Sequence, residues 1–195
     1  MNGEEKRERI LEAAVKLFGE RGYNATRMAE VATAARVSPS TLYKMFDGKK
    51  GLFIATRQWV TNRVLGRLIE ALPDDPEADA LTLVRRLLTS YTAYIRKHRE
   101  LARILAEGVV GQDPEIRAEQ LTAFTGASTM LAQVIERDVS GGTVRLATDP
   151  ETAGLLFVSF TAMIAYAVLL DLDRRSVAGF DPDYALDLFF DVIRE

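Results

Sequence analysis

Lys49 and Lys50 stand in the first turn of a helix opened by Asp47 and Gly48, and just upstream Ser40, Thr41, Tyr43 and Lys44 share one side of a shorter helix that starts at Pro39. These are cations and hydrogen-bond donors, and the chemistry open to them is to hold phosphate oxygens and to read base edges. A cation at a helix N-terminus opposes the macrodipole by about 0.3–1 kcal/mol, whereas an anion there is favoured by dipole and free N–H groups alike. A phosphate would reconcile the two lysines with their position, although a merely solvated charged surface could carry them too. Catalytic chemistry has no comparable set. His98, in IRKHRE, is the only histidine, there is no cysteine, and no glycine-rich phosphate loop or metal-ligand spacing occurs. No catalytic residue, metal or cofactor is therefore expected, and an enzyme reading survives only as an isolated acid acting on an unknown substrate.

The elements that would position these side chains lie between Thr26 and Phe53. Met28, Val31, Ala32 and Ala35 recur at helical spacing, Val37 follows in a break, and Leu42 and Phe46 restart the period. Ser38 can cap the second of these helices, and Pro39 suits its first position because a proline lacks the N–H that would find no partner there. At 100° per residue Leu42, Met45 and Phe46 fall on one side, opposite Ser40, Tyr43 and Lys44, with Thr41 more lateral. Upstream, Ile10, Leu11, Ala14, Val15, Leu17 and Phe18 form the stripe of a third helix, with Gly22 as a left-handed terminator and Thr26 able to cap the helix that follows. Downstream, the helix begun at Asp47 runs through Trp59, Val64 and Leu68 to Pro73, long enough to link two domains.

ILEAAVKLFGERGYNAT followed by MAEVATAARVSPSTLYKMFDGKKGLF resembles the N-terminal helix-turn-helix of the TetR family of bacterial transcriptional repressors in the order and spacing of its apolar, Gly, Tyr-Phe and Lys positions. The resemblance implies a homodimeric, all-helical, ligand-released repressor that binds a palindromic operator in double-stranded DNA, with Thr26, Ser40, Thr41, Tyr43, Lys44, Lys49 and Lys50 as the DNA contacts. Three residues depart from the family pattern: Arg36 stands in the turn where Gly is common, Ala29 where an Arg often contacts the backbone, and Met45 where His is frequent. A left-handed turn at Arg36 would be strained.

The remaining chain supports two domains, a DNA-binding domain over 1–50 and an effector-binding and dimerisation domain over 51–195. The net charge of −3 is unevenly spread: residues 1–57 hold 11 Lys/Arg and 7 Asp/Glu, or +4, which leaves −7 for the rest. A charged N-terminus without an apolar stretch, together with the absence of cysteine, points to the cytoplasm. Ser38-Pro39, Asp75-Pro76, Asp113-Pro114, Asp149-Pro150 and Asp181-Pro182 each read as a helix start, Gly108 and Gly111 bracket one helix end, Gly141-Gly142 end another helix, and no strand alternation appears. The expected fold is all-α, with about nine helices.

Thr152 to Leu170 carries no charge and could by length span a membrane. Its Gly, Ser, Thr and Tyr residues and the lack of basic residues before it favour instead a helix buried on every side. Such burial implies a second copy of the chain, with Phe157, Phe160, Ile164, Leu186, Phe189, Phe190 and Ile193 at the interface. Trp59, Tyr91, Tyr94, Phe124, Met130, Met163 and Tyr166 supply what the pocket of a small apolar effector needs, although the same types also fill ordinary cores. A purely structural helical module is the competing class; it predicts no DNA affinity beyond that of any weakly basic surface.

Overall fold

The structure is a computed structural model that describes residues 3–75, 77–110, 113–171 and 182–194, with side chains described for all of these but 108–110 and 182. Among the described residues there are nine helices: α1 (Gly3–Ala25), α2 (Met28–Ala34), α3 (Pro39–Met45), α4 (Gly48–Glu70), α5 (Ala80–Lys97), α6 (Arg99–Val110), α7 (Pro114–Ser140), α8 (Pro150–Leu169) and α9 (Pro182–Ile193). No strand accompanies them, only an isolated bridge between Leu146 and Arg194. The fold is all-α, as the periodicity requires.

Local chemistry sets most of the boundaries. Ser38 Oγ accepts the Thr41 N–H at 3.1 Å, Asp113 accepts those of Glu115 and Ile116 at 2.9 and 3.2 Å, and Asp149 accepts that of Thr152 at 2.8 Å. Each satisfies donors that a helix start leaves orphaned. Gly142, at φ 74°, follows the end of α7. The Asp75-Pro76 mark does not start a helix. α5 begins at Ala80, where Asp79 accepts the Thr82 N–H at 2.6 Å, and Asp75 instead takes the guanidinium of Arg86 at 2.8 Å. α6 ends at Val110, between the positions of Gly108 and Gly111 that bracket it in the sequence. Pro76, Gly111 and Asp181 lie outside the described residues.

Helices α1 to α3 and the start of α4 enclose a small core of Ile10, Leu11, Ala14, Phe18, Val31, Ala32, Leu42, Phe46, Leu52 and Phe53, all buried. Phe18 and Phe53 meet edge to face with centroids 5.1 Å apart, worth about 0.5–1.5 kcal/mol beyond their burial. α4 runs on from these helices, and its Val60, Val64 and Leu68 continue the same buried cluster toward the later helices. There α7 and α8 pack closely at Gly154: a Cβ added at that residue would sit 2.4 Å from the Ser128 carbonyl oxygen. α8 is apolar and long enough to cross a membrane by composition, but its Ala153, Phe157, Phe160, Ile164 and Val168 are buried among other helices of this chain.

Candidate nucleic-acid interface

The α2–turn–α3 unit is fixed by a helix-ending motif. The Val37 N–H reaches back to the Ala32 carbonyl at 3.0 Å and the Arg36 N–H to that of Thr33 at 3.1 Å, the paired bonds of a Schellman motif. The motif needs a left-handed residue at Arg36, which has φ 52°, a conformation that disfavours an L side chain by about 1–2 kcal/mol. From that turn α3 presents Ser40, Tyr43 and Lys44 to solvent, with Tyr43 57% exposed, while Leu42 and Phe46 anchor it from below and Thr41 is half-buried. The Ser38 hydroxyl lies 2.9 Å from that of Ser40 and 2.8 Å from that of Thr41, so three hydroxyls cluster at the N-terminal end of α3. An open groove of about 660 Å³ between α1 and the turn adds Arg9, Lys16 and Arg36 beside Glu12.

Thr26 does not belong to this surface. It is buried, and its hydroxyl donates inward to the carbonyls of Gly22 and Leu17 at 2.8 and 3.2 Å. Gly22, at φ 79° and ψ 171°, breaks α1 there and leaves carbonyls that need a donor. The cap of α2 is correspondingly Arg27, whose N–H is accepted by Glu30 at 3.0 Å. That bond, and after it the Arg21 guanidinium, hold the Glu30 carboxyl below its usual range.

Both lysines of α4 are half-buried and already engaged. Lys49 Nζ donates to the Asn24 carbonyl at 2.9 Å and lies 4.7 Å from the centre of the Tyr23 ring. Burial lowers its pKa, against the attraction of Glu107. Lys50 Nζ sits 2.7 Å from Glu115 and 3.8 Å from Asp113, at the start of α7. α1 is docked on α6 by equally specific contacts. The Tyr23 N–H is shared between the two Glu107 oxygens at 2.9 and 3.0 Å, and Arg103 Nε donates to the Gly19 carbonyl at 3.1 Å. Sequence patterning did not single out Glu107. It did contain a signal for Arg57, a charge at a core position of α4, which is buried and pairs with Glu119 of α7.

The seven side chains expected to form an effector pocket do not converge. Trp59, Tyr91, Tyr94 and Phe124 are partly buried, and burial raises the Tyr91 phenol well above its ordinary pKa. Met130, Met163 and Tyr166 instead point outward, Met130 being 69% exposed. The inward faces of α7 and α8 are taken by Ser128, Ala132, Ile135, Phe157 and Ile164, and helical geometry turns the three others away. Met130 lines an open groove of about 590 Å³ along α7 with Leu121, Thr122, Gly126 and Gln133. The expected interface set needs the opposite correction. Phe157, Phe160, Ile164, Leu186, Phe190 and Ile193 are buried within the single chain, and Phe189 is half-buried against Phe157, Phe160 and Phe190 at centroid distances of 5.1, 5.1 and 5.6 Å. The large apolar residues left outside on α8 and α9 are Leu155, Leu156, Met163, Tyr166, Tyr184, Leu188 and Val192. His98 caps the C-terminal end of α5, 3.5 Å from Glu100 and with its ring tilted 35° against that of Tyr94, and no metal-binding group of side chains occurs among the described residues.

Two short helices joined by a strained turn, the second with an exposed polar face and a third helix braced behind them, define a helix-turn-helix protein. Residues 10–56 match the family model described as bacterial regulatory proteins, tetR family. Over this segment, its N-terminal domain, the chain is of the TetR family. It is 27% identical over 135 residues to the HTH-type transcriptional activator FasR of Mycolicibacterium smegmatis, a match covering 69% of this chain and 61% of that protein. It is 29% identical over 144 residues to the HTH-type transcriptional repressor NicS of Pseudomonas putida, covering 71% and 66%. The matched stretch thus spans a little under two thirds of these relatives' length. The crystal structure of the transcriptional regulator FadR from Bacillus subtilis in complex with stearoyl-CoA shares the fold with a TM-score of 0.75 at 18% identity, over 93% of this chain and 96% of that one.

Proposed function

We propose that the chain is a transcriptional repressor that binds a palindromic operator as a homodimer and is released by a small apolar effector, with 1–50 as the DNA-binding unit and 51–195 as the effector and dimerisation unit. The observation that carries the DNA-binding reading is the outer face of α3: Ser40, Tyr43 and Lys44 are exposed on a helix whose other side packs on the core through Leu42 and Met45. Lys44 and the Ser40–Thr41 hydroxyls are the groups for base edges, and Tyr43 and Lys49 those for the sugar-phosphate backbone. The positive balance of residues 1–57 supports the same surface.

A second copy is supported by the outward apolar residues of α8 and α9, since exposed large apolar side chains gathered on two helices are what an interface covers. The relatives bear differently on the direction of control, FasR being named an activator and NicS a repressor. Stearoyl-CoA in the FadR structure supports an effector with a long apolar portion. The test is selection of genomic fragments by the purified protein, followed by affinity for the selected duplex against salt. Lys44→Ala is expected to cost about 1–3 kcal/mol against the selected site and to relax preference at particular base pairs. Binding that is absent for every fragment, or indifferent to salt, rejects the reading.

A further inference from the structure

Lys50 stands in the first turn of α4, five residues past the end of α3 at Met45, where the helix N-terminus favours a phosphate. It faces the first turn of α7 instead. Its ammonium is paired to Glu115 at 2.7 Å with Asp113 at 3.8 Å, and the Glu115 hydrogen bond raises its pKa. One turn further along α7, Glu119 takes the buried Arg57 guanidinium and, at 3.0 Å, the amide of Gln58. Lys50 and Arg57 are seven residues apart on α4, and Glu115 and Glu119 four apart on α7, so each pair shares one helix face and the contacts form two rungs between the same helices.

The rungs differ in kind. Arg57 is 4% exposed, and removing one partner of a buried ion pair leaves the other uncompensated, so this rung fixes the start of α7 to α4. The Lys50 rung is open to solvent, with Glu115 73% exposed, and a pair of that kind is weakly held and readily exchanged. A carboxylate and a phosphate offer a lysine the same chemistry, an anionic oxygen that accepts its N–H groups.

We propose that the first turn of α7 is an internal substitute for a DNA phosphate: Glu115, steadied beside Lys50 by the Arg57–Glu119 rung, holds that lysine away from the duplex, and DNA affinity depends on where α7 stands. The inference rests on the DNA-binding reading above. An effector that moves α7 toward or away from α4 then strengthens or withdraws a competing anion beside the DNA surface, without any change in α3.

The experiment measures affinity for one selected genomic duplex as a function of salt, using the full chain and its Glu115→Gln, Lys50→Ala and doubly substituted variants. Glu115→Gln is expected to bind several-fold more tightly at low salt. Its log–log salt slope should be steeper by about 0.9, the increment for one more neutralised phosphate, or about a 3.5-fold greater loss for each fourfold rise in salt. Lys50→Ala should leave the slope near that of the unsubstituted chain, and should abolish the gain when combined with Glu115→Gln. An unchanged slope in Glu115→Gln overturns the proposal. So does a gain that persists without Lys50, because the effect is then only the loss of a repelling charge near DNA. If no variant binds any duplex there is no slope to compare, and it is the DNA-binding reading that falls, taking this inference with it.

Discussion

Gly154→Ala should destabilise the protein, although the same change in an open part of a helix should stabilise it. An alanine gains about 1 kcal/mol over glycine in a helix interior by restricting the unfolded chain. At Gly66, in α4, an added Cβ meets nothing within 4 Å, and the gain should be realised in full. At Gly154 the added carbon would lie 2.4 Å from the Ser128 carbonyl oxygen, 3.0 Å from the Ala132 nitrogen and 3.3 Å from the Ala132 Cβ. The first two are backbone atoms of α7, which no side-chain rotation can clear. An ordinary carbon–oxygen contact would require α8 to withdraw by roughly 1 Å, along the helix pair that carries Phe157 and Ile164. Overpacking of this kind costs about 1–3 kcal/mol and more where backbone must move. The net expectation is a loss of up to a few kcal/mol for Gly154→Ala against a gain of about 1 kcal/mol for Gly66→Ala. At about 2–4 °C per kcal/mol for a chain of this length, the two melting temperatures should part in opposite directions. The assay is thermal unfolding followed by circular dichroism at fixed protein concentration. A Gly154→Ala melting temperature equal to or above that of Gly66→Ala would refute the packing argument.

Arg36→Gly should raise the denaturation midpoint by the equivalent of about 1 kcal/mol, because only the strained residue of the turn is relieved; urea titration checks it, and no gain would mean that the Arg36 side chain contributes what its backbone loses. The pH dependence of stability should be split by sign. Burial raises the Glu107 pKa, beyond what the Tyr23 N–H and the Arg103 and Lys49 charges can offset, so the folded chain holds its proton more tightly and stability falls as pH rises from about 4.3, the ordinary glutamate value, through the raised one. At Asp79 burial alone would also raise the pKa, but the Thr82 bonds and Arg194 outweigh it and lower the value, so its contribution is present above the ordinary aspartate range and lost as pH falls through the depressed one. Glu107→Gln should flatten the first limb and leave the second, as read from urea midpoints across pH. Leu188→Asp should shift the sedimenting species from dimer to monomer at micromolar concentration with helix content kept, since Leu188 is 52% exposed in the single chain; a dimer that persists places the interface elsewhere.

What the sequence determined was local. Ser38, Asp113 and Asp149 mark helix starts because a capping oxygen and a proline act within three residues of themselves, and the chain needs no distant partner to read them. The two faces of α3 follow from a 100° turn per residue, and the strain at Arg36 was legible through the resemblance, which puts Gly at that turn, since a side chain there disfavours a left-handed backbone. The family resemblance came from the same local pattern of apolar and turn residues.

The tertiary structure decided what each side chain faces. Thr26 looked like a capping or backbone-binding hydroxyl, but carbonyls freed by the break at Gly22 claim it from within. Asp79 rather than Asp75 starts α5, since the Ala80 N–H there meets a carboxylate from Asp138, 58 residues along the chain, at 2.6 Å. Lys50 could not be separated from Lys49 by type or spacing; its partner lies on α7, reached only when the chain has folded back. The uncharged 152–170 stretch gives no periodic signal, because nearly all its residues are apolar, and so the inward set could not be told from the outward one. Packing against α7 settled that, burying Phe157 and Ile164 while leaving Leu155 and Met163 outside. A helix records its own ends in its sequence, but the direction of each face depends on neighbours brought in from remote parts of the chain.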